Sequence, residues 1–233
     1  MRVSVQACTR RSRSHGHNED RATVGAEVLS DTTGVERWSL QPPATVAVLD
    51  GVGGAPSAAL ASDLAARAIS AAEPPIDEAA ASALLARADR LLLDAGQVDV
   101  LRKGMATTAA ALVFHDGDGT GLVANVGDSQ ILRLASDGLE VLSVSDRIQR
   151  GIYQSLGGHD DPDMTPHVRT IDLEVGDRLL LATDGMTDVI PPAQVEQVLR
   201  DERQDAAAHL LRRVEQAHTP DDVTIVVIDL EDD

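Results

Sequence analysis

The segment Thr45–Gly54 limits what this chain can fold into more than any other stretch. Its apolar run ends at Asp50, and three of the next four residues are glycine. This pattern predicts a buried strand that places a carboxylate at the edge of a sheet before the glycines turn the chain away. Taken alone, however, the segment is explained better by a strand followed by an ordinary Asp-Gly turn.

Two further strand-like runs end in the same way. Arg178–Thr183 leads into Asp184, and Gly121–Val126 leads through Gly127 into Asp128. Three buried strands that end in aspartate predict carboxylates gathered at one rim, where like charges repel unless cations or protons neutralise them. All-oxygen ligands favour Mg²⁺ or Mn²⁺ and not zinc, which prefers His and Cys.

Composition limits the partners and the compartment. The 233 residues, of which 43% are apolar, suffice for one substantial core and predict a single domain over residues 1–233. A net charge of −18 argues against binding to nucleic acid or to an anionic membrane. Cys8 has no disulfide partner, and no apolar run reaches transmembrane length. We therefore expect a soluble, cytoplasmic protein.

The order of the predicted elements indicates the fold class. Helical spacing of apolar residues predicts one pair of helices over 56–72 and 76–95, and a second pair over 191–200 and 206–217. Strand-like runs cluster before and between these pairs, whereas residues 30–43 are predicted to form a loop. This order predicts an α+β protein with two packed antiparallel sheets and helices on the outside.

Seven motifs, taken in order, resemble those of the metal-dependent serine/threonine protein phosphatases of the type 2C (PPM) family, bacterial branch. One such motif is weak evidence, but a series in the family's order and approximate spacing is highly specific. The motifs run from near the N-terminus to the last predicted strand: Asn18–Asp20, Asp50–Gly54, Gly104–Thr108, Asn125–Ser129, Leu156–Gly157, Gly176–Gly185 and Asp221–Thr224.

The resemblance implies an α-β-β-α four-layer sandwich, in which helix pairs flank two antiparallel sheets and two Mn²⁺ or Mg²⁺ ions lie at one end. A metal-bound water then attacks phosphorus directly, so Ser129 is expected to be structural and not a nucleophile. By position, the resemblance implies the following metal ligands: Asp20, Asp50, Gly51 through its carbonyl, Asp184 and Asp221, with Asp128 as ligand of a weak third ion.

The chain departs from the family pattern at the predicted phosphate contact. His15 stands where bacterial members usually carry an arginine that holds the substrate phosphate. Arg13 lies two residues before it. A protonated histidine can substitute, but it lacks the bidentate fork of arginine. A second departure is the pair Asp221–Asp222, which replaces the usual Asp-Asn; Asp222 is expected to serve the turn.

A third departure is a shortened flap. Between Asp146 and Leu156 the chain is too short for the mobile insertion that most family members carry. We therefore expect an open metal site. Selectivity for a protein substrate would come from surface outside the cleft, with the loop 10–17 and residues 147–150 as the expected contacts.

The sequence is compatible with two functions. The first is a phosphatase that acts on phosphorylated cytoplasmic signalling proteins, such as kinase targets or the phosphorylated antagonists of anti-sigma factors. The second is a catalytically weak phosphatase-fold module that binds phosphoproteins. The missing arginine favours the second function. Retention of the acidic ligand positions favours the first, because inactive relatives of enzymes tend to lose their metal ligands.

Overall fold

Two six-stranded sheets, antiparallel at every pairing that the structure describes, form the centre of the protein. The computed structural model describes residues 1–117, 119–149, 151–158 and 164–232. Sheet I contains, in spatial order, β10 (Gly138–Val141), β9 (Gln130–Ala135), β15 (Arg178–Ala182), β16 (Val223–Glu231), β1 (Arg2–Arg10) and β4 (Glu36–Leu40). Sheet II contains, in spatial order, β14 (His167–Asp172), β8 (Thr120–Val126), β7 (Ala109–Phe114), β5 (Ala44–Asp50), β2 (Asp20–Val24) and β3 (Glu27–Leu29).

Helices cover the outer faces of both sheets. Apolar residues at helical spacing face the sheets, as Ala61, Ala65 and Ile69 do on the first helix. Sheet II is covered by α1 (Ala58–Ser70) and α2 (Glu78–Val98), and sheet I by α4 (Pro192–Asp201) and α5 (Ala206–Ala217). A 3₁₀ turn (Val100–Arg102) follows α2, and the short α3 (Asp184–Thr187) follows β15. Within the described ranges, no helix is long and apolar enough to cross a membrane.

The main core lies between the two sheets. Inward-facing side chains of both sheets form one buried cluster, which includes Val5 and Ile228 from sheet I and Val48 and Leu112 from sheet II. Alternation along each strand sends the other apolar side chains outward against the helices. The predicted α-β-β-α order of layers is therefore confirmed.

The prediction of a loop over 30–43 was wrong. Its second half contains β4, which pairs with β1 so that Trp38 lies opposite Val5. Trp38 and Leu40 pack against the core, while Glu36 and Arg37 are exposed. The strand lies at the edge of sheet I, so only one of its faces is covered, and its short polar sequence gave no apolar run to detect.

Two short antiparallel pairings of two residues per strand complete the structure. One joins β6 (Ala106–Thr107) to β13 (Leu156–Gly157), and the other joins β11 (Arg147–Ile148) to β12 (Gly151–Ile152). The pair β11–β12 lies where the family flap was expected to be shortened. Arg150 and residues 159–163 lie outside the described residues.

Candidate metal centre

Two predicted ligands lie directly opposite each other at one end of sheet II. Asp20 is the first residue of β2, Asp50 is the last residue of β5, and the strand register pairs them. Like charges at directly opposed positions destabilise a sheet. The register therefore confirms the expected proximity and creates a local need for positive charge or protons.

The chain at the end of β5 is held by backbone and hydroxyl contacts. A Cβ at Gly51 would lie 2.6 Å from the carbonyl oxygen of Ala58, so only glycine allows this close approach. Thr107 donates its hydroxyl to the Asp50 carbonyl at 2.8 Å, and Thr108 accepts the Asp50 N–H at 3.0 Å. These contacts fix the direction in which Asp50 leaves the sheet.

Asp20 also links the two sheets at this end. Its Oδ2 accepts the Thr183 hydroxyl at 2.7 Å, and that hydroxyl accepts the Thr224 N–H at 2.9 Å. Burial, as the main cause, raises the pKa of Asp20 to about 8, although the threonine contacts work in the opposite direction. The ends of β15 and β16 are thus brought to the ends of β2 and β5.

The other predicted carboxylates surround Asp50. Burial raises the pKa of Asp50 well above its usual value, and the nearby negative charges raise it further. Burial and neighbouring carboxylates likewise raise the pKa of Asp184 to about 6. The charges that act on Asp50 are, in order of effect, those of Asp20, Asp184, Asp221 and Asp128.

Close packing places Asp184 next to the Asp221 turn. A Cβ at Gly185 would collide with the carbonyl oxygen of Asp222, so the start of α3 lies directly against that turn. This explains why glycine follows Asp184 in the sequence. It also brings together two aspartates that are far apart along the chain.

The side chains present fit a pair of hard cations. Asp20 Oδ1 and Asp184 Oδ1 are buried and accept no hydrogen bond from any residue that the structure describes. Buried oxygens of this kind are costly unless an ion or a proton satisfies them. No three His, Cys, Asp or Glu side chains of the described ranges already converge as metal ligands. The detailed ligand set, including the carbonyl of Gly51, therefore stays a prediction.

The two predicted phosphate contacts lie beside this cluster. Nδ1 of His15 is 3.1 Å from Asp222 and 3.9 Å from Asp221, which places the imidazole at the rim of the site. Arg13 is exposed and lines a cleft of about 560 Å³ together with Arg10, Arg11, Leu211 and Asp221.

Asp222 holds the loop 10–17, which we call the basic loop, and its carboxylate oxygens are both hydrogen-bonded. Its Oδ1 accepts the N–H of Ser12 and its Oδ2 accepts the N–H of Glu19, both at 2.6 Å. The expected turn role is therefore only part of its function, because Asp222 also fixes a segment that lies about two hundred residues earlier in the chain.

Ser129 is buried and hydrogen-bonded, as expected of a structural residue. Its hydroxyl lies 2.7 Å from that of Thr108, and the residue is 2% exposed. No described side chain is placed to act on it as a general base.

One site residue was misplaced by the sequence analysis. Arg147 was expected on the surface outside the cleft, but its guanidinium faces two of the clustered carboxylates, at 3.7 Å from Asp128 and 3.6 Å from Asp184. It is also bound by Asp188. The only signal in the sequence is the position of Arg147 directly after Asp146, and no local pattern shows where that side chain points.

Comparison with known proteins gives a consistent result. The sequence profile of the family described as Stage II sporulation protein E (SpoIIE) matches residues 43–231. The serine/threonine protein phosphatase PstP of Mycobacterium tuberculosis (strain H37Rv) is 27% identical over 244 residues, which cover 93% of this chain and 43% of PstP. The serine/threonine phosphatase stp of Listeria innocua is 23% identical over 249 residues, covering 95% of this chain and 93% of stp. The chain thus spans less than half the length of the mycobacterial relative.

Solved structures show the same fold. The catalytic domain of PstP in complex with two manganese ions aligns with a TM-score of 0.78 over 100% of both chains, at 25% identity. Stp1 from Staphylococcus aureus aligns with a TM-score of 0.80 over 98% of this chain and 95% of that chain, at 21% identity. These similarities confirm the predicted α+β sandwich and the resemblance on which it was based.

Proposed function

We propose that this chain, which belongs to the Stage II sporulation protein E (SpoIIE) family, is a metal-dependent phosphatase. Its proposed substrates are phosphoserine and phosphothreonine in proteins. The observation that carries this proposal is the register that sets Asp20 opposite Asp50 within a group of clustered carboxylates, of which Asp20 and Asp128 are buried. Such a group is costly in a metal-free protein and is suited to two divalent ions. The names of the relatives support the same activity.

In the proposed mechanism, the residues of the chain bind the ions and orient the substrate. When bound, two Mn²⁺ or Mg²⁺ ions lower the pKa of a water molecule and offset charge on the phosphoryl oxygens. Asp20, Asp50 and Asp184 would hold the ions together with Asp221 and the carbonyl of Gly51. Asp50, on which the charges of Asp20, Asp184, Asp221 and Asp128 all act, would help to hold both ions, as the resemblance implies. His15 and Arg13 would contact the phosphate from the basic loop.

The proposed substrates are phosphorylated signalling proteins in the cytoplasm. A buried Cys8 whose pKa is raised to about 12 by burial is a thiol that needs no oxidising compartment. The acidic net charge of −18 opposes binding to nucleic acid or to an anionic membrane. We further propose that residues 1–233 form one domain, because the main core spans both sheets.

The test is hydrolysis of p-nitrophenyl phosphate by chelator-treated protein to which Mn²⁺ or Mg²⁺ is added back. We expect turnover that requires the metal and that extends to phosphoserine and phosphothreonine peptides. Turnover that resists the chelator would exclude the proposed mechanism. Binding of a phosphopeptide without any turnover would instead support the alternative of a phosphoprotein-binding module.

A further inference from the structure

Arg147 is clamped by Asp188 at the edge of the candidate metal centre. Nη1 and Nη2 donate to the two carboxylate oxygens of Asp188 at 2.6 and 2.7 Å, which is the bidentate geometry of a strong arginine pair. The Nε of Arg147 lies 3.7 Å from Asp128, and its Nη2 lies 3.6 Å from Asp184. Those two distances are ion-pair contacts longer than a hydrogen bond, so the Nε and Nη2 edge of the guanidinium can still donate to a further acceptor.

Buried contacts fix the backbone that carries this side chain. Asp146, which is fully buried, accepts the N–H of Gly127 at 2.8 Å, and its other oxygen lies 2.7 Å from Nε2 of His167. Just before it, both polar groups of the Asn125 side chain bind the backbone of Val144. The motif Asn125–Ser129 therefore holds the segment that ends in Arg147, which places Arg147 and Asp128 face to face.

Arginine is well suited to this position. Its planar guanidinium matches the geometry of phosphoryl oxygens, stays charged at every physiological pH and needs little reorganisation when it is already held by a carboxylate. Divalent ions bound by the neighbouring aspartates would take up their negative charge. The free edge of Arg147 would then face the space that the substrate phosphate must enter.

The predicted phosphate contacts are less favourably arranged. The Nδ1 of His15 is turned toward Asp222, and Arg13 is exposed in the basic loop. Within the described residues, Arg147 is the arginine that contacts two of the clustered carboxylates. It approaches from β11, on a different segment from the loop in which the family pattern would place the arginine.

We propose that Arg147 binds the phosphoryl oxygens of the substrate and that Asp188 is its positioning residue. This proposal rests on the proposed phosphatase function and deepens it. Arg147 supplies from the shortened flap segment the bidentate contact that His15 cannot make. The chain has therefore kept an arginine for the phosphate while changing the element that carries it.

The experiment compares Arg147→Met, Arg147→Lys and Asp188→Asn with the wild type in two measurements. The first is the affinity of the Mn²⁺-loaded protein for inorganic phosphate by titration calorimetry, and the second is KM and kcat for p-nitrophenyl phosphate. Arg37→Met is the control, because Arg37 forms an exposed ion pair with one oxygen of Asp205 at 2.6 Å, outside the site.

We expect Arg147→Met to weaken phosphate binding and raise KM by about tenfold or more, because a charge-assisted contact is lost. Arg147→Lys should recover part of the loss. Asp188→Asn should weaken phosphate binding and raise KM by a few-fold, and Arg37→Met should change neither quantity. Phosphate affinity and KM within about twofold of the wild type in Arg147→Met would overturn the proposal. If Arg147→Met does not fold, Arg147→Lys decides, since wild-type values in that variant would show that the bidentate fork is not used.

The two proposals fail in different ways. A wild type that binds phosphate through Arg147 but shows no metal-dependent turnover would remove the phosphatase function and leave the binding role of Arg147. Metal-dependent turnover that is unchanged in Arg147→Met would support the phosphatase function and remove the binding role of Arg147. A wild type that neither turns over substrate nor binds phosphate would overturn both.

Discussion

Nδ1 of His15 lies 3.1 Å from Oδ2 of Asp222, a carboxylate that also anchors the backbone of the same loop. The contact with Asp222 raises the pKa of His15, although partial burial works in the opposite direction, so the charged form of the imidazole is favoured relative to a free histidine. The relationship couples the basic loop to the start of β16, beside the predicted ligand Asp221.

The first prediction concerns His15 as a phosphate contact. His15→Ala should raise KM for p-nitrophenyl phosphate by a few-fold, and His15→Arg should restore it, because a single charged hydrogen bond is removed and replaced. Steady-state kinetics at one fixed pH measures both. An unchanged KM in His15→Ala would leave phosphate binding to Arg147 and Arg13. His209→Ala, on the outer surface of α5, is the matched control.

The second prediction concerns the predicted metal ligands Asp50 and Asp184. Asp50→Asn and Asp184→Asn should abolish metal-dependent turnover, and they should also abolish the rise in melting temperature that we expect Mn²⁺ to cause in the wild type. The metal-free variants should be as stable as the metal-free wild type or more stable, because each substitution removes a charge that its neighbours repel. Asp172→Asn, an exposed carboxylate on β14, is the control. Full activity in Asp50→Asn would contradict the assignment.

The third prediction concerns a third metal ion near Asp128. The guanidinium of Arg147 lies 3.7 Å from this carboxylate and repels another cation there. Calorimetric titration with Mn²⁺ should show two tight ions and at most a third at high metal concentration. Arg147→Met should strengthen the third site. Crystals soaked in low millimolar Mn²⁺ that hold three fully occupied ions would refute this expectation.

The fourth prediction concerns pH and the buried Asp146. Burial by itself raises the pKa of this group, but hydrogen bonds from Tyr153, the N–H of Gly127, His167 and Gln154 outweigh burial and lower it. A lowered pKa in the folded state contributes stability at pH above the unfolded value of about 4, and this stability is lost as pH falls through the folded value.

The free energy of unfolding of the wild type should therefore exceed that of Asp146→Asn at pH 7 by about 2 to 3 kcal/mol. The difference between the two proteins should shrink as the pH falls below about 4. Denaturant unfolding of the two metal-free proteins measures this difference in free energy. The clustered aspartates titrate in both proteins, so their contribution cancels in the difference. A difference that does not depend on pH would show that the Asp146 charge does not stabilise the hairpin segment.

The fifth prediction concerns the packing that joins α3 to the Asp221 turn. Gly185→Ala should destabilise the protein by about 3 kcal/mol, because the added Cβ collides with the backbone carbonyl of Asp222, which cannot move cheaply. Gly34→Ala is the control, since no atom lies within 4 Å of a Cβ at that loop position. Equal melting temperatures of the two variants would show that the turn adjusts freely.

Much of the fold could be predicted because its signals are local. The apolar runs that end in Asp50 and Asp184 can be recognised from the sequence alone. A buried strand is apolar over its length, and a charged residue at its end marks a candidate site. The helix pairs were legible from their spacing for the same reason. The edge strand β4 was missed, because a strand covered on one face needs few apolar residues.

The sequence by itself determined which carboxylates are available, that Asp50, Asp128 and Asp184 end or follow apolar strand-like runs, and that such a cluster calls for hard cations. Only the tertiary structure decided that Asp20 and Asp50 are directly opposed, that His15 is turned toward Asp222 and that Arg147 points into the site. These relationships depend on strand register and on hydrogen bonds between segments far apart in the chain, such as that from Gly127 to Asp146. Local periodicity records which side of an element is buried, but the direction of a charged side chain at its end is set by the partners that the whole fold brings to it.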